Sequence, residues 1–264
     1  QKMMRKIPDL SNTLASSRVT EGVRTQMVDW MFEVLNKLGG VERFNESTFF
    51  RSVQIFDLYL KKDDKQSIAN EDVHLIGITC MFIASKYEDS CPFKLKEFTE
   101  GAAVGVFSNT QVTDKECQII NSLDLIISQT TVYEVFELYV SKLKPEVPQS
   151  VFEQIKTVAF FALVVASCSS AYNDYEMKHI VLASIFTGMR YLEIELSENN
   201  SLSTIDLSFV HSFLRKDLLE EELDQVRRTI KFIKNFLFKF FENTVPSPAV
   251  LQFFDLKKKY FSSI

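Results

Sequence analysis

Glycine and proline are scarce in this sequence, with seven and six among 264 residues. All-β folds need frequent turns and α/β folds need glycine-rich crossings, so the scarcity of both residues favours helices. Long hydrophobic runs are lacking as well, because no apolar run reaches the roughly 18–20 residues that a membrane-spanning helix needs. The sequence therefore predicts an all-α protein, and we expect no membrane among its partners.

Cysteine and histidine are also few, and neither is arranged as a metal site. His179 and His211 lack carboxylate or cysteine neighbours at ligand spacing, and the cysteines are far apart with no C-x-x-C motif, so we expect free thiols and no metal. G-x-S-x-G, G-x-x-x-x-G-K and H-E-x-x-H motifs are absent, which argues against an enzyme, and we expect no catalytic residue and no cofactor. The cysteines are Cys80, Cys91, Cys117 and Cys168.

Positive charge is not in excess, since 30 Lys and Arg stand against 35 Asp and Glu, for a net charge of −5. Phosphate binding depends on Lys and Arg, so this balance argues against direct binding of nucleic acid or of anionic membranes. With 46% hydrophobic residues, the chain can bury a core, either as one large domain or as two of roughly 100–150 residues.

Apolar residues recur at helical period in about ten segments. Five segments precede a polar break at 128–131 and five follow it, which indicates a duplicated five-helix unit. Gly39 and Gly40 are expected to stop the first helix, and Asn109 or Thr110 to cap the fifth. The predicted helices are 21–38, 46–61, 71–88, a segment near 94–100, 109–123, 131–143, 148–166, a segment near 174–193, 205–216 and 219–241.

Arg24 lies on an otherwise apolar helical face, in one stripe with Met27, Val28 and Met31. Burying an unpaired ion costs several kcal/mol, so Arg24 needs a partner inside the protein. Asp57 lies on or beside the buried stripe of the next predicted helix, and we expect it to form a bidentate, desolvated brace with Arg24. Such a pair would fix how the first helix crosses the second.

Lys86 and Glu116 also occupy apolar helical stripes, near the ends of their helices. Two interpretations stay open from the residues alone. The two charges pair with each other, or the backbone of a protein partner completes their hydrogen bonds.

These charged positions carry a family resemblance. Arg24 in V-R-x-x-M-V-D-W, Asp57, Leu75, Lys86 in A-S-K-Y-E-D, and Glu116 resemble the five signature positions of the cyclin box, and the flanking sequence is similar to that of mitotic A-type and B-type cyclins. The resemblance implies two tandem five-helix cyclin folds with a short N-terminal helix, and it adds Leu75 to the structural brace. The domains it implies are an N-terminal helix remnant and linker over 1–20, an N-terminal cyclin box over 21–128, a C-terminal cyclin fold over 129–245 and a C-terminal extension over 246–264.

The resemblance implies a subunit that binds and activates a cyclin-dependent protein kinase in the nucleus and cytoplasm, with no chemistry of its own. Lys86 and Glu116 would grip the kinase backbone, and their apolar neighbours would supply buried area. The alternative is a transcription-related adaptor with the same fold and no kinase activation. The apolar neighbours are Phe82, Ile120, Leu125 and Ile127.

The same resemblance implies a groove for substrate or inhibitor docking peptides of the R-x-L kind. Gln26 replaces an aliphatic residue of the family pattern and His74 replaces a glutamine, which compromises the apolar pocket. Trp30 is either the floor of this groove or core filler. The groove positions are Val23, Gln26, Met27, Trp30, Glu33, Val73 and His74.

The last predicted helix carries two further patterns. Its phenylalanines in 232–241 predict packing against the rest of the protein. Its charges, three glutamates at 220–222 followed by Arg227 and Arg228, predict a solvated face with ion pairs about one helical turn apart.

Overall fold

The computed structural model describes residues 19–62, 68–103, 105–198 and 220–242. Every regular element within these ranges is helical, so the all-α prediction is confirmed for the part of the chain described. The predicted helix 205–216 and the N-terminal and C-terminal extensions lie outside these residues, apart from Val19 and Thr20. The α-helices are α1 (Glu21–Arg43), α2 (Glu46–Lys62), α3 (Val73–Glu88), α4 (Asn109–Ser122), α5 (Val132–Leu143), α6 (Gln149–Cys168), α7 (Met177–Glu198) and α8 (Glu220–Glu242).

Helix α1 begins at a side-chain cap. It is interrupted at Gly40, one of the two glycines that were expected to stop it. Thr20 accepts a hydrogen bond from the Val23 amide at 3.3 Å, which satisfies one of the free amides of the first turn. Gly40 takes φ 55° and ψ −152°, a conformation that breaks the helix, and a last turn then runs to Arg43. The chain therefore kinks at Gly40 before it enters α2.

The cap of α4 differs from the expected one. Ser108, rather than Asn109 or Thr110, accepts from the Gln111 amide at 3.2 Å, and the Gln111 side chain accepts from the Ser108 amide at 2.9 Å. This reciprocal arrangement satisfies two amides instead of one, which explains why the cap lies one residue before Asn109. Asn109 accepts instead from the Thr99 hydroxyl, at 2.9 Å.

The first bundle is built around α3, which packs against α1, α2 and α4. Nearly every residue of α3 from Ile76 to Ser85 is buried, as expected for a helix surrounded by its neighbours. The predicted short segment near 94–100 is a π-helical turn, Glu97–Ala102, that also contacts α1.

The second bundle is built around α6 and α7, and α8 packs on both. A side-chain carbon added at Gly188 would lie 2.9 Å from the Ile155 carbonyl oxygen, so glycine permits the close approach of α7 to α6. Helix α6 has the length and composition of a membrane span, with a mean hydropathy of 1.6. The expectation that no apolar run is so long is therefore wrong, but 72% of that window is buried against other helices, as in a core helix.

Candidate functional site: two interhelical ion pairs

Arg24 connects α1 to α2 and to the second bundle. Its Nε and Nη2 atoms donate to the two Asp57 carboxylate oxygens, each at 2.8 Å. Its remaining hydrogens reach the carbonyl oxygens of Ser167 and Cys168 at the end of α6, at 3.0–3.1 Å. All five donors of the guanidinium are thus satisfied in a side chain that is fully buried. The expected pair is present, and it also caps a helix from the other bundle.

The surroundings of this brace come from both bundles. Asn173, in the turn after α6, donates to Asp57 at 3.1 Å, and the Ser170 amide donates to the Glu21 carboxylate at 2.7 Å. Leu75 is half-buried against the apolar core. The polar groups that complete the brace belong to the end of α6 and to the turn after it. Burial lowers the pKa of Arg24, but the charge and hydrogen bonds of Asp57 raise it by more. The net shift is therefore upward, and the guanidinium stays charged.

Arg51 on α2 forms a second buried junction, which the sequence analysis did not identify. It donates to Glu88 at the end of α3 and to Glu134 on α5, both at 2.7 Å. It also donates to the carbonyl oxygens of Ile127, at 2.9 Å, and of Gln129. Arg51 thereby holds the segment that contains Ile127 and Gln129, which connects the two bundles, against α2 of the first bundle. The available signal was an arginine inside the predicted apolar helix 46–61, the same pattern that pointed to Arg24.

Lys86 and Glu116 form the second interhelical ion pair, between the last turn of α3 and α4. The Lys86 side chain keeps 41% of its surface exposed and Glu116 keeps 14%. The Lys86 ammonium also lies 4.1 Å from the centre of the Phe82 ring, a cation–π contact. The two charges therefore pair with each other while Lys86 stays accessible from outside the bundle.

The chain after α4 exposes apolar side chains close in sequence to this pair. Leu125 is 72% exposed and Ile126 is 54% exposed, whereas Ile120 and Ile127 are half-buried. Asp124 and Leu125 have φ values of 53° and 61°, a left-handed conformation that is rare for residues other than glycine. Strained backbone of this kind is concentrated at functional sites. Ile126 was missing from the predicted set, and nothing in its sequence pattern distinguished it from Ile127.

The predicted docking groove is partly filled by aromatic side chains. Trp30 contacts His74 edge to face with ring centres 4.6 Å apart, and His74 contacts Phe107 in the same way at 5.2 Å. All three residues are half-buried. Burial lowers the pKa of His74, so its ring is neutral near pH 7. Trp30 thus lies at the rim of the core, between the two alternatives that its sequence left open.

The other groove positions divide between surface and core. Gln26 is exposed, and Val23 and Glu33 are half-buried. Val73 and Met27 are 1% and 9% exposed, because α3 packs its first turns against α1. Those two side chains therefore belong to the core and present little surface to a docking peptide.

The described residues contain no group of three His, Cys, Asp or Glu side chains placed to hold a metal ion. All four cysteines are free thiols, of which Cys80 and Cys168 are buried. Burial raises the pKa of both buried thiols, which keeps them protonated and unreactive.

Comparison with known proteins finds the chain similar to the family that its signature residues resemble. Residues 1–128 match the family model described as Cyclin, N-terminal domain. The G1/S-specific cyclin-E1 of Rattus norvegicus is 27% identical over 192 residues, which cover 66% of this chain and 44% of that protein. The G2/mitotic-specific cyclin-B of Marthasterias glacialis is 22% identical over 205 residues, which cover 76% of this chain and 48% of that protein. The chain thus spans about half the length of these curated relatives.

A solved structure supports the fold. The X-ray structure of a viral cyclin from herpesvirus saimiri superimposes with a TM-score of 0.66, at 19% sequence identity, over 88% of this chain and 91% of that chain. At this identity the match establishes the fold alone. The predicted cyclin fold is confirmed by it.

Proposed function

We propose that this chain, whose residues 1–128 match the model of the cyclin N-terminal domain and which is similar to cyclins E1 and B, is a non-catalytic regulatory subunit that binds and activates a cyclin-dependent protein serine/threonine kinase in cell-cycle control. The observation that carries the proposal is the accessible Lys86–Glu116 ion pair with exposed apolar side chains following α4. Charged groups at the edge of an apolar surface give a partner both buried area and hydrogen-bond geometry.

Lys86 can change partners at little cost. An exposed ion pair is screened by water and contributes only about 0–1 kcal/mol to stability, so a kinase carbonyl can replace part of it. Once the kinase covers the surface, the same charges lie at low dielectric, where their hydrogen bonds are stronger. The pair therefore contributes more to the complex than to the free subunit.

Leu125 and Ile126 supply apolar area for the same partner. Their side chains are already exposed in the free chain, so binding needs no unfolding of the bundle to present them. Burying apolar surface contributes about 25 cal/mol per Å². Leu125 has a left-handed backbone conformation that ends helical geometry, and its side chain is 72% exposed.

The docked surface would activate the kinase through its position next to the kinase αC helix. Docked beside the kinase αC helix, the first bundle would hold that helix inward, so that its glutamate reaches the β3 lysine required for phosphoryl transfer. Converting a kinase from almost inactive to almost fully active needs a differential affinity of about 5.5 kcal/mol. An interface above about 1,200 Å² is of the size that supplies such affinity.

The proposal is tested by mixing the purified chain with each of a panel of monomeric cyclin-dependent kinases and measuring histone phosphorylation. We expect activation of at least one kinase by the wild-type chain, and weaker activation by the Lys86→Ala, Glu116→Ala double variant. The Lys156→Ala, Glu137→Ala double variant is the matched control, because it removes a partly exposed interhelical ion pair in the second bundle. Failure of the wild-type chain to activate any kinase in the panel would overturn the proposal.

A further inference from the structure

Helix α8 carries a basic stripe on its outer face. Arg227, Arg228, Lys231 and Lys234 are all exposed, whereas Val226, Thr229 and Ile233 of the same helix are buried. The spacing of Arg227, Lys231 and Lys234 places them on one face over about 10 Å. Four cations so close together stand out in a protein whose net charge is −5.

Of the four cations of the stripe, only Arg227 pairs with a carboxylate among the described side chains. Glu222 binds Lys178 of α7 at 3.0 Å through both carboxylate oxygens, and Arg227 pairs with Asp224 at 2.9 Å. Within the described part of the chain, Lys231 and Lys234 have no carboxylate within ion-pair distance. Glu222, the glutamate whose side chain is described in the first turn of α8, therefore does not neutralise the stripe.

Helix stability does not explain the stripe. Like charges three or four residues apart destabilise a helix by a few tenths of a kcal/mol, and Lys231 has such a neighbour on both sides. Cations are favoured only in the last turn of a helix, and α8 continues to Glu242, two turns beyond Lys234. An external anion would offset this repulsion.

An apolar margin adjoins the stripe. Phe232 stacks on Tyr175 with ring centres 5.1 Å apart and contacts Phe236 at 6.2 Å, and all three rings are half-buried. Burial and the charge of Asp174 raise the pKa of Tyr175, while the charge of Arg228 opposes them. The surface offers both cations and partly exposed rings.

We propose that the outer face of α8 docks an acidic, glutamate- or aspartate-rich segment of a protein partner, whose carboxylates pair with Arg228, Lys231 and Lys234. A peptide fits better than a nucleic acid, because the stripe is only about 10 Å long. A longer polyanion would also be repelled by a protein whose net charge is −5. The proposal is independent of kinase activation.

The test measures fluorescence anisotropy of a labelled peptide of Glu-Glu-Leu repeats with the whole chain and no kinase. We expect binding that weakens with added salt, and about tenfold weaker binding by the Lys231→Glu, Lys234→Glu variant. The control variant Lys94→Glu, Lys96→Glu changes the net charge equally at exposed positions of the first bundle and should bind as the wild type does.

Each contrary outcome overturns the proposal. If both variants bind the acidic peptide equally weakly, the effect comes from net charge and not from the stripe. If a Gln-Gln-Leu peptide binds as tightly as the Glu-Glu-Leu peptide, carboxylates are not needed for binding. Tighter binding of duplex DNA than of the acidic peptide would assign the stripe to nucleic acid. Thermal unfolding of both variants verifies that they fold, and because no kinase is present, a negative result here leaves kinase activation unaffected.

Discussion

The Arg24–Asp57 and Lys86–Glu116 pairs look alike in sequence and differ in structure. Each joins two helices of the first bundle through charges on apolar stripes. Arg24 is fully buried and Asp57 is 7% exposed, whereas Lys86 is 41% exposed. A buried pair must have every hydrogen bond made, because removing one partner strands the other without water. An exposed pair can be opened by a partner, because water already shares it. Burial therefore separates a structural ion pair from one available for binding.

The largest expected effect comes from breaking the buried pair. Arg24→Ala should lower the free energy of unfolding by about 3–5 kcal/mol, because it leaves the Asp57 charge and the α6 carbonyls unsatisfied. Urea unfolding followed by circular dichroism measures the loss. Arg24→Lys keeps the charge but not the planar fork, so it should lose less. An unchanged unfolding midpoint for Arg24→Ala would contradict the brace.

Arg51→Ala extends the comparison to the second buried arginine. We expect a loss of about 2–3 kcal/mol in the free energy of unfolding, less than for Arg24, because Glu134 is 46% exposed and regains water. The same urea titration measures it. Gln54→Ala is a milder control, since it removes one hydrogen bond to the Thr130 carbonyl and one that Gln54 accepts from Arg51, but leaves both ion pairs of Arg51 in place. A loss as small as the control's would show that Arg51 does not hold the connection.

Lys86→Ala should separate binding from stability. We expect kinase affinity to fall by about 1–3 kcal/mol, because charge-assisted bonds to the partner are lost. The free energy of unfolding should change by less than about 1 kcal/mol, as for an exposed ion pair. Calorimetric titration with the activated kinase, and thermal unfolding of the free chain, give the two values. Equal losses in both would mean that the pair is an internal brace like Arg24–Asp57.

The smallest expected effect on stability is that of Leu125→Gly. Glycine adopts the left-handed conformation without strain, but it also loses more chain entropy on folding, so the free energy of unfolding should change by less than about 1 kcal/mol. Kinase affinity should nevertheless fall, because the exposed leucine side chain is gone. Leu125→Ala is the control that removes the side chain without relieving the backbone. Unchanged affinity in both variants would exclude Leu125 from the interface.

Much of the fold was predictable from local pattern. Helical periodicity placed the described α-helices to within a few residues, and Gly40 marked the kink of α1. The cap of α4 was misplaced by one residue, because Ser108 forms a reciprocal arrangement with Gln111 that a preference for single caps does not capture. The hydropathy of α6 was underestimated, because its polar residues are too few to interrupt an apolar window.

The candidate site was predictable in part, because the Arg24–Asp57 pair follows from the helical pattern, whereas Arg51 and the contacts with α6 were not predicted. Asp57 was the nearest charge on a neighbouring apolar stripe, so a helical pattern sufficed to pair it with Arg24. The Ser167 carbonyl that Arg24 also binds lies 143 residues further along the chain, and no pattern within one helix specifies such a partner. The left-handed backbone at Asp124 and Leu125 was equally invisible, because those residue types rarely adopt it.

The sequence by itself determined that the protein is helical, that it has two sets of helices, and that its buried charges need partners, because periodicity and the cost of an unpaired ion are local properties. Only the tertiary structure decided which ion pair is sealed and which stays accessible. That outcome depends on whether a second bundle covers the pair. The end of α6 covers Arg24 and Asp57, while the Lys86 side chain at the last turn of α3 stays open to water.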